Sequence, residues 1–489
     1  MELSFSKTNS TPIYLQIKNQ IKHKIMKQEL AYGFRLPSER ALSDDLGIHR
    51  NTVHKVYGQL VDEGLLKVVS KQHYIVCYTP FSQISPARPP QIINWKLLLK
   101  DTYYKPDNLY DTMIEQTLTG KYISFAAEFA SPHIYPHDEI RGILGKIAQI
   151  TDLKLFNYTE TQGLLSLRQA ICKYLERRQI YVTPNQIQVF SEVTQALKCI
   201  FQLFLSEGDY IILEEPLHFD TYVMLLDMRV QVVTIPTDED GMMVELLEPL
   251  LQRFKPKCIY TNPTFNNPTK AIMPLERRHR LMELSAYYGI PVVEEDTLHD
   301  LYYGQAPMPA PIKALDPKNH VIYVDSFTQT FVPGIRVSFA VAPAYVIRKF
   351  NYMIIRDFMQ LDSVSQLMLT ESLGNGSYWS NLDRINNMYR EKLTMMCREL
   401  DRAGPELISY AVPSGGPGLW CRLPNHIDQG RLLKVVMGKG VLFMPGHIMY
   451  RNGSTGDNYI RLNHTYPEMD NILDGIRILV DVLQKMVSA

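Results

Sequence analysis

The chain has no net charge to steer it. Its 51 lysines and arginines balance 51 aspartates and glutamates, so bulk attraction to nucleic acid or to a membrane surface is excluded as the basis of partner choice. It also lacks any C-x-x-C pair. The six cysteines, at positions 77, 172, 199, 258, 397 and 421, are scattered, which excludes a disulfide frame and a zinc ribbon and reads as free thiols of a reducing compartment. No apolar run approaches the roughly 20 residues of a membrane span, and Met1–Ser10 is polar, without a signal-peptide core. These absences point to a cytoplasmic protein with no metal site and no membrane partner. Repeats and low-complexity segments are missing too. What remains is an ordinary globular composition, 45% hydrophobic and 21% charged, in 489 residues, too many for one core.

Charge is uneven along the chain. Residues 1–76 carry 11 Lys and Arg against 7 Asp and Glu, a small basic unit on a neutral body. Residues 12–30 have helical periodicity, with Ile13, Leu15, Ile17, Ile21, Ile25 and Met26 on one stripe. After Gly33 and Pro37, Ser38 is placed to cap a second short helix. Gly47 turns the chain into a third helix, from about His49 to Asp62. Gly64 stops it, and Leu65–Val76 alternates as a hairpin. This order is a winged helix-turn-helix. Arg50, Asn51, His54 and Lys55 fall on the outer face of its recognition helix, where arginine can pair with guanine and asparagine with adenine. Arg40 and Thr52 are placed for phosphates, which position without specifying. Lys71 and His73 can reach DNA from the wing.

Residues 77–115, with Pro80, Pro86, Pro89 and Pro90, read as a linker holding one helix near Trp95–Lys100. From about residue 116 to 489, helical stretches (Leu164–Arg177, Gln195–Ser206) alternate with short apolar runs at Tyr210–Leu213, Cys258–Thr261, Ile290–Val293 and Val321–Val324. That alternation implies an α/β fold with a mostly parallel sheet.

The first unit resembles the GntR family through Leu36-Pro37-Ser38-Glu39-Arg40, Leu46-Gly47, Arg50-Asn51-Thr52-Val53 and Glu63-Gly64-Leu65-Leu66, over about 65 residues. It departs from the family in His49, where a Ser or Thr cap is usual, and in the Lys71-Gln72-His73 tip, where glycines are usual. The second unit is similar to fold-type I proteins that use pyridoxal 5'-phosphate (PLP). The carrying residues are Tyr158 through Gly163, Gly208-Asp209-Tyr210, Thr261-Asn262-Pro263, Asn267-Pro268-Thr269, Pro274 through Arg278, and Ser326 through Arg336. Together they resemble the MocR-like subgroup, in which an aminotransferase-like body senses PLP or a PLP–amine adduct and moves DNA-binding heads. The resemblance implies a homodimeric regulator that reads a double-stranded operator and answers a small-molecule effector.

The resemblance also assigns roles. Gln329 stands where the family has the lysine that forms an imine with PLP, and a carboxamide nitrogen is not nucleophilic. Asn267 matches the residue that bonds the phenolic oxygen, Arg336 the phosphate arginine, His218 the ring-stacking aromatic, Thr194 a phosphate contact and Arg461 the grip on a substrate carboxylate. The pyridine-facing aspartate becomes Glu295 and a neighbouring tyrosine becomes Thr297. The small phosphate-binding run becomes Ser191-Glu192-Val193-Thr194. Glu192 puts a carboxylate beside a would-be dianion, a clash that turning to solvent or pairing with Arg336 would relieve. Lys270 replaces a glycine. It reads as an exposed loop lysine, with a substitute catalytic amine as the alternative. The whole implies a pocket that binds PLP non-covalently or has lost it. An active aminotransferase and a dimerising scaffold stand as alternatives.

Overall fold

A computed structural model describes residues 1, 3–6, 11–70, 73–79, 109–150, 157–451 and 453–488. The chain divides into two compact units, Met1–Lys100 and Asp101–Ala489. Lys71, Gln72 and the helix expected near Trp95–Lys100 lie outside the described residues.

In the first unit, α1 (Ile13–Met26), α2 (Glu39–Leu46) and α3 (Arg50–Asp62) precede an antiparallel hairpin of β1 (Leu66–Ser70) and β2 (His73–Val76). The α1 stripe is shorter than its periodicity implies, since Lys27 ends the helix. Ile17, Ile21 and Ile25 bury against Val53, Val56, Tyr57 and Leu60 of α3. Ser38 caps α2 through Ala41 N–H at 3.2 Å. Gly47 takes a left-handed φ of 62°, which glycine adopts without a Cβ penalty. At the unusual cap, His49 Nδ1 accepts from Asn51 N–H at 3.2 Å, so an imidazole does the work of the missing hydroxyl.

In the second unit, helix Leu109–Leu118 straddles the start expected at residue 116, and it buries Met113 and Thr117. The main sheet has eight strands: β3 (Ile187–Phe190), β4 (Tyr210–Glu215), β5 (Gln231–Asp238), β6 (Gly241–Met242), β7 (Cys258–Thr261), β8 (Val292–Glu295), β9 (Val321–Ser326) and β10 (Ser338–Val341). Their order is β3-β10-β9-β8-β7-β4-β5-β6. Pairings from β9 through β5 are parallel; β10 runs antiparallel to both of its neighbours. β7, β9 and β10 are buried throughout, as expected of strands covered on both faces. A smaller antiparallel sheet contains Gly418–Arg422 paired with Tyr459–Asn463. Parallel strands place their carboxyl ends on one edge, and ligand crevices of α/β sheets lie there.

Candidate functional site

The cavity of the second unit opens at that edge. Glu192 follows β3, His218 follows β4, Asn262 and Asn267 follow β7, Glu295 ends β8, and Gln329 sits in the turn after β9. Alternation along β8 sorts the acidic run. Glu295 and Thr297 line the cavity. Glu294 turns away to accept from Ile312 and Lys313 N–H, both at 2.7 Å. Tyr260 O–H donates to Glu295 Oε2 at 2.5 Å, and Thr297 stands 3.4 Å from Oε1. Burial pushes the Glu295 carboxyl above its ordinary range.

Glu192 occupies the N-terminus of α4 (Val193–Phe204). Its Oε1 accepts from Val193 N–H at 2.9 Å, a place where a helix favours negative charge. Its Oε2 accepts from the Thr328 hydroxyl at 3.2 Å and pairs with Arg336 Nη2 at 3.3 Å. Of the two ways to relieve this carboxylate, the structure takes the pairing. Thr194 lines the same wall.

Sequence reasoning missed Glu128. The segment before it is fixed by backbone bonds: Phe125 N–H donates to Leu442 and Asn463 N–H donates to Phe125, both at 2.8 Å. Arg461 and Asn463, two apart on one strand face, both donate to Ala126 O at 3.2 Å. Glu128 is thereby carried into the pocket. Its Oε2 accepts from Asn267 Nδ2 at 2.8 Å and lies 3.2 Å from Arg461 Nη1. Its Oε1 accepts from Lys270 Nζ at 3.1 Å. Burial alone would push this carboxyl up, but the Arg461 guanidinium and the Lys270 ammonium outweigh it and hold the carboxyl well below the usual range. Asn267 is thus engaged on both sides, because its Oδ1 accepts from Arg461 at 3.0 Å. The one available signal was a lone acid after the apolar run Phe125-Ala126-Ala127.

Lys270 corrects an expectation. It is a buried lysine, 4% exposed, because the chain turns it inward at a left-handed φ of 62°. Gly416, itself at φ 80°, lies so close that a Cβ there would stand 3.2 Å from Lys270 Cδ. Burial pushes the Lys270 amine down from its ordinary value. His218 lines the cavity with Nε2 3.3 Å from the Tyr110 hydroxyl and 4.0 Å from Glu128. Burial lowers its pKa.

In the first unit, Arg40, Arg50, Asn51, His54, Lys55 and His73 are exposed and Thr52 is half-buried. Glu39, another residue the sequence did not single out, is buried beneath them. It receives the Tyr74 hydroxyl at 2.8 Å, faces His54 Nδ1 at 2.8 Å and pairs with Arg50 Nε at 3.3 Å. Lys55 Nζ lies 3.9 Å over the Tyr14 ring.

Fold and site together define a helix-turn-helix regulator built on an aminotransferase body. Residues 135–476 match the family "Aminotransferase class I and II", and residues 13–76 match "Bacterial regulatory proteins, gntR family". The chain belongs to the aminotransferase class I and II family, in the MocR-like fusion with a gntR-family DNA-binding head, and it is a transcription regulator. It is 26% identical over 483 residues to the uncharacterized HTH-type transcriptional regulator YdfD of Bacillus subtilis, covering 99% of this chain and 98% of that one. It is 30% identical to aromatic-amino-acid aminotransferase 1 of Thermococcus litoralis, covering 75% of this chain and 89% of the enzyme. The kynurenine aminotransferase of Pyrococcus horikoshii, crystallised in complex with PMP, superposes with a TM-score of 0.74 at 29% identity, over 81% of this chain and 98% of that one. The fold is therefore that of PLP-dependent aminotransferases. Among the described residues, no group of side chains could hold a metal ion, and no helix is long and apolar enough to cross a membrane.

Proposed function

We propose that the body is a non-catalytic sensor. It binds a small ligand without a covalent bond, and binding alters how the paired heads of a homodimer engage operator half-sites in the cytoplasm. Gln329 carries this reading: its carboxamide lines the cavity at the turn after β9, where an amine would be needed for imine chemistry. The substitute-amine alternative draws no support from Lys270, whose ammonium is buried against Glu128.

The residues present do not fit PLP. A phosphate at the N-terminus of α4 would meet Glu192, which already holds that N–H and Arg336. A phenolic oxygen would find Asn267 engaged with Glu128 and Arg461. No chemical step is therefore routed through PLP. Regulation needs only a ligand that binds two conformations with different affinity.

A second reading, a body that serves only dimerisation, draws on the same ion pairs, which leave both anion seats filled. Calorimetry of the full-length protein with PLP, small amines and amino acids separates these readings, read beside the visible spectrum before and after borohydride. The sensor reading expects binding heat without a borohydride-trapped band. Trapping would establish an enzyme-like amine, and silence towards every compound would leave the scaffold.

A further inference from the structure

We propose that Glu128 is a specificity-determining residue: its carboxylate fills the seat on Arg461 that the carboxylate of an amino acid would need, so the pocket takes a small amine bearing neither carboxylate nor phosphate. The inference rests on the sensor reading and names the ligand class of that same site.

Glu128 has the bonding of a bound ligand rather than of a surface acid. Three donors from two segments converge on it: Arg461 Nη1 at 3.2 Å from a strand, and Asn267 Nδ2 at 2.8 Å and Lys270 Nζ at 3.1 Å from one loop. Among the described residues, the two buried cations at this end of the pocket, Arg461 and Lys270, both pair with it. A second carboxylate brought to about 4 Å would lose up to roughly a thousandfold in affinity at an effective dielectric of about 20. One nitrogen of the Arg461 fork is unspent, since Nη1 is on Glu128 and Asn267 and Nη2 donates to Ala126 O. Glu128 meets one terminal nitrogen, while the buried Nε has no hydrogen-bond partner among the described residues. A ligand carboxylate could use the fork better, but only with Glu128 gone.

The opposite end shows the same substitution independently. Glu192 stands at the helix N-terminus and on Arg336, in place of a phosphate. Between the two ends, the cavity of about 140 Å³ is lined by the carboxylates of Glu128, Glu192, Asp220 and Glu295. It continues into a space of about 490 Å³ that shares Glu128, Glu192, His218 and Gln329 and adds Asp111, Glu115 and Arg336, the last already paired with Glu192. The charge of the lining favours a cation.

The test is calorimetry on the full-length protein with matched pairs: isoamylamine against leucine, phenethylamine against phenylalanine, putrescine against ornithine. Wild type should bind at least one amine, and its matched amino acid more weakly by roughly tenfold or more. Glu128→Ala should tighten that amino acid by a similar factor, and Glu128→Gln should do so partly; because either change leaves the buried Arg461 and Lys270 without their counter-ion and lowers the melting temperature, the far-UV circular dichroism spectrum at the assay temperature is the check on folding. Wild type binding an amino acid as well as its amine would overturn the proposal while keeping the sensor reading, whatever the variants do. Silence of wild type with a gain of amino-acid binding in Glu128→Ala would overturn the amine as ligand, and with it the sensor reading, although Glu128 would still be what blocks Arg461. Silence of both proteins towards every compound would overturn this proposal and the sensor reading together.

Discussion

Replacing Glu39 by alanine removes one acceptor shared by three side chains of the reading head: Tyr74 on the wing, and Arg50 and His54 on the recognition helix. The three losses are unequal. The Arg50 and His54 side chains are 54% and 70% exposed, so water replaces Glu39 and each costs only about 0–1 kcal/mol. Tyr74 is 8% exposed. Its hydroxyl would be left buried without its acceptor, which costs about 1–3 kcal/mol. The expected destabilisation of the head is therefore about 2 kcal/mol, most of it from one phenol. Hydrogen exchange of peptides spanning residues 50–76 in the full-length protein reads this quantity locally. The decisive comparison is Glu39→Ala made in a Tyr74→Phe background, where the orphaned hydroxyl is absent and the cost should shrink by about 1 kcal/mol or more. An equal cost in both backgrounds would refute the reasoning. The pH dependence carries a sign as well. Burial raises the Glu39 carboxyl, but hydrogen bonds from His54, Tyr74 and Arg50 outweigh it and leave the pKa lowered from 4.5. A lowered folded value means that stability is present above the ordinary range and is lost as pH falls through the folded value. Wild-type protection should thus drop on acidification below about pH 4, and that of Glu39→Ala should drop less.

Three further outcomes are open to measurement. Gln329→Lys should restore only a weak visible band with PLP, because Glu192 and Glu128 keep their seats; a full-strength band would show that those carboxylates yield easily. Arg50→Ala should cost about 1–3 kcal/mol of operator binding with little change in the salt slope; a slope reduced by about one would make Arg50 a phosphate contact instead. Burial pushes the Glu214 carboxyl up to about 7, and a raised folded value withdraws stability as pH rises from the ordinary range through that value. Glu214→Gln should keep an acceptor for the Asn262 N–H, gain about 1–3 kcal/mol over wild type at pH 8 and gain little at pH 5, read from denaturant midpoints. An equal shift at both pH values would disprove the attribution.

Local signals make much of this protein legible in its amino-acid order. The isoleucine spacing of α1, the Ser38 cap and Gly47 specify the head because each acts within a turn or two of helix. Cys258–Thr261 and Val321–Val324 are legible as strands because both faces are covered and nearly every position is apolar. Strand β10 is not, since its antiparallel place beside β9 depends on a partner rather than on its own four residues. Helix Leu109–Leu118 crosses the start read at residue 116 for a related reason: it buries Met113 and Thr117, which no composition shift marks.

The pocket divides along the same line. Residue type at a motif position is readable, and with it the loss of an amine at Gln329 and the excess carboxylate at Glu192, since chemical identity does not depend on folding. Which partner each group chooses is not. Lys270, with the sequence context of an exposed loop lysine, is buried on Glu128, and Arg461 and Asn267 are held by that same carboxylate from more than 130 positions away. Ion pairing depends on distance and desolvation, and only the folded chain brings residues 128, 267, 270 and 461 to one point.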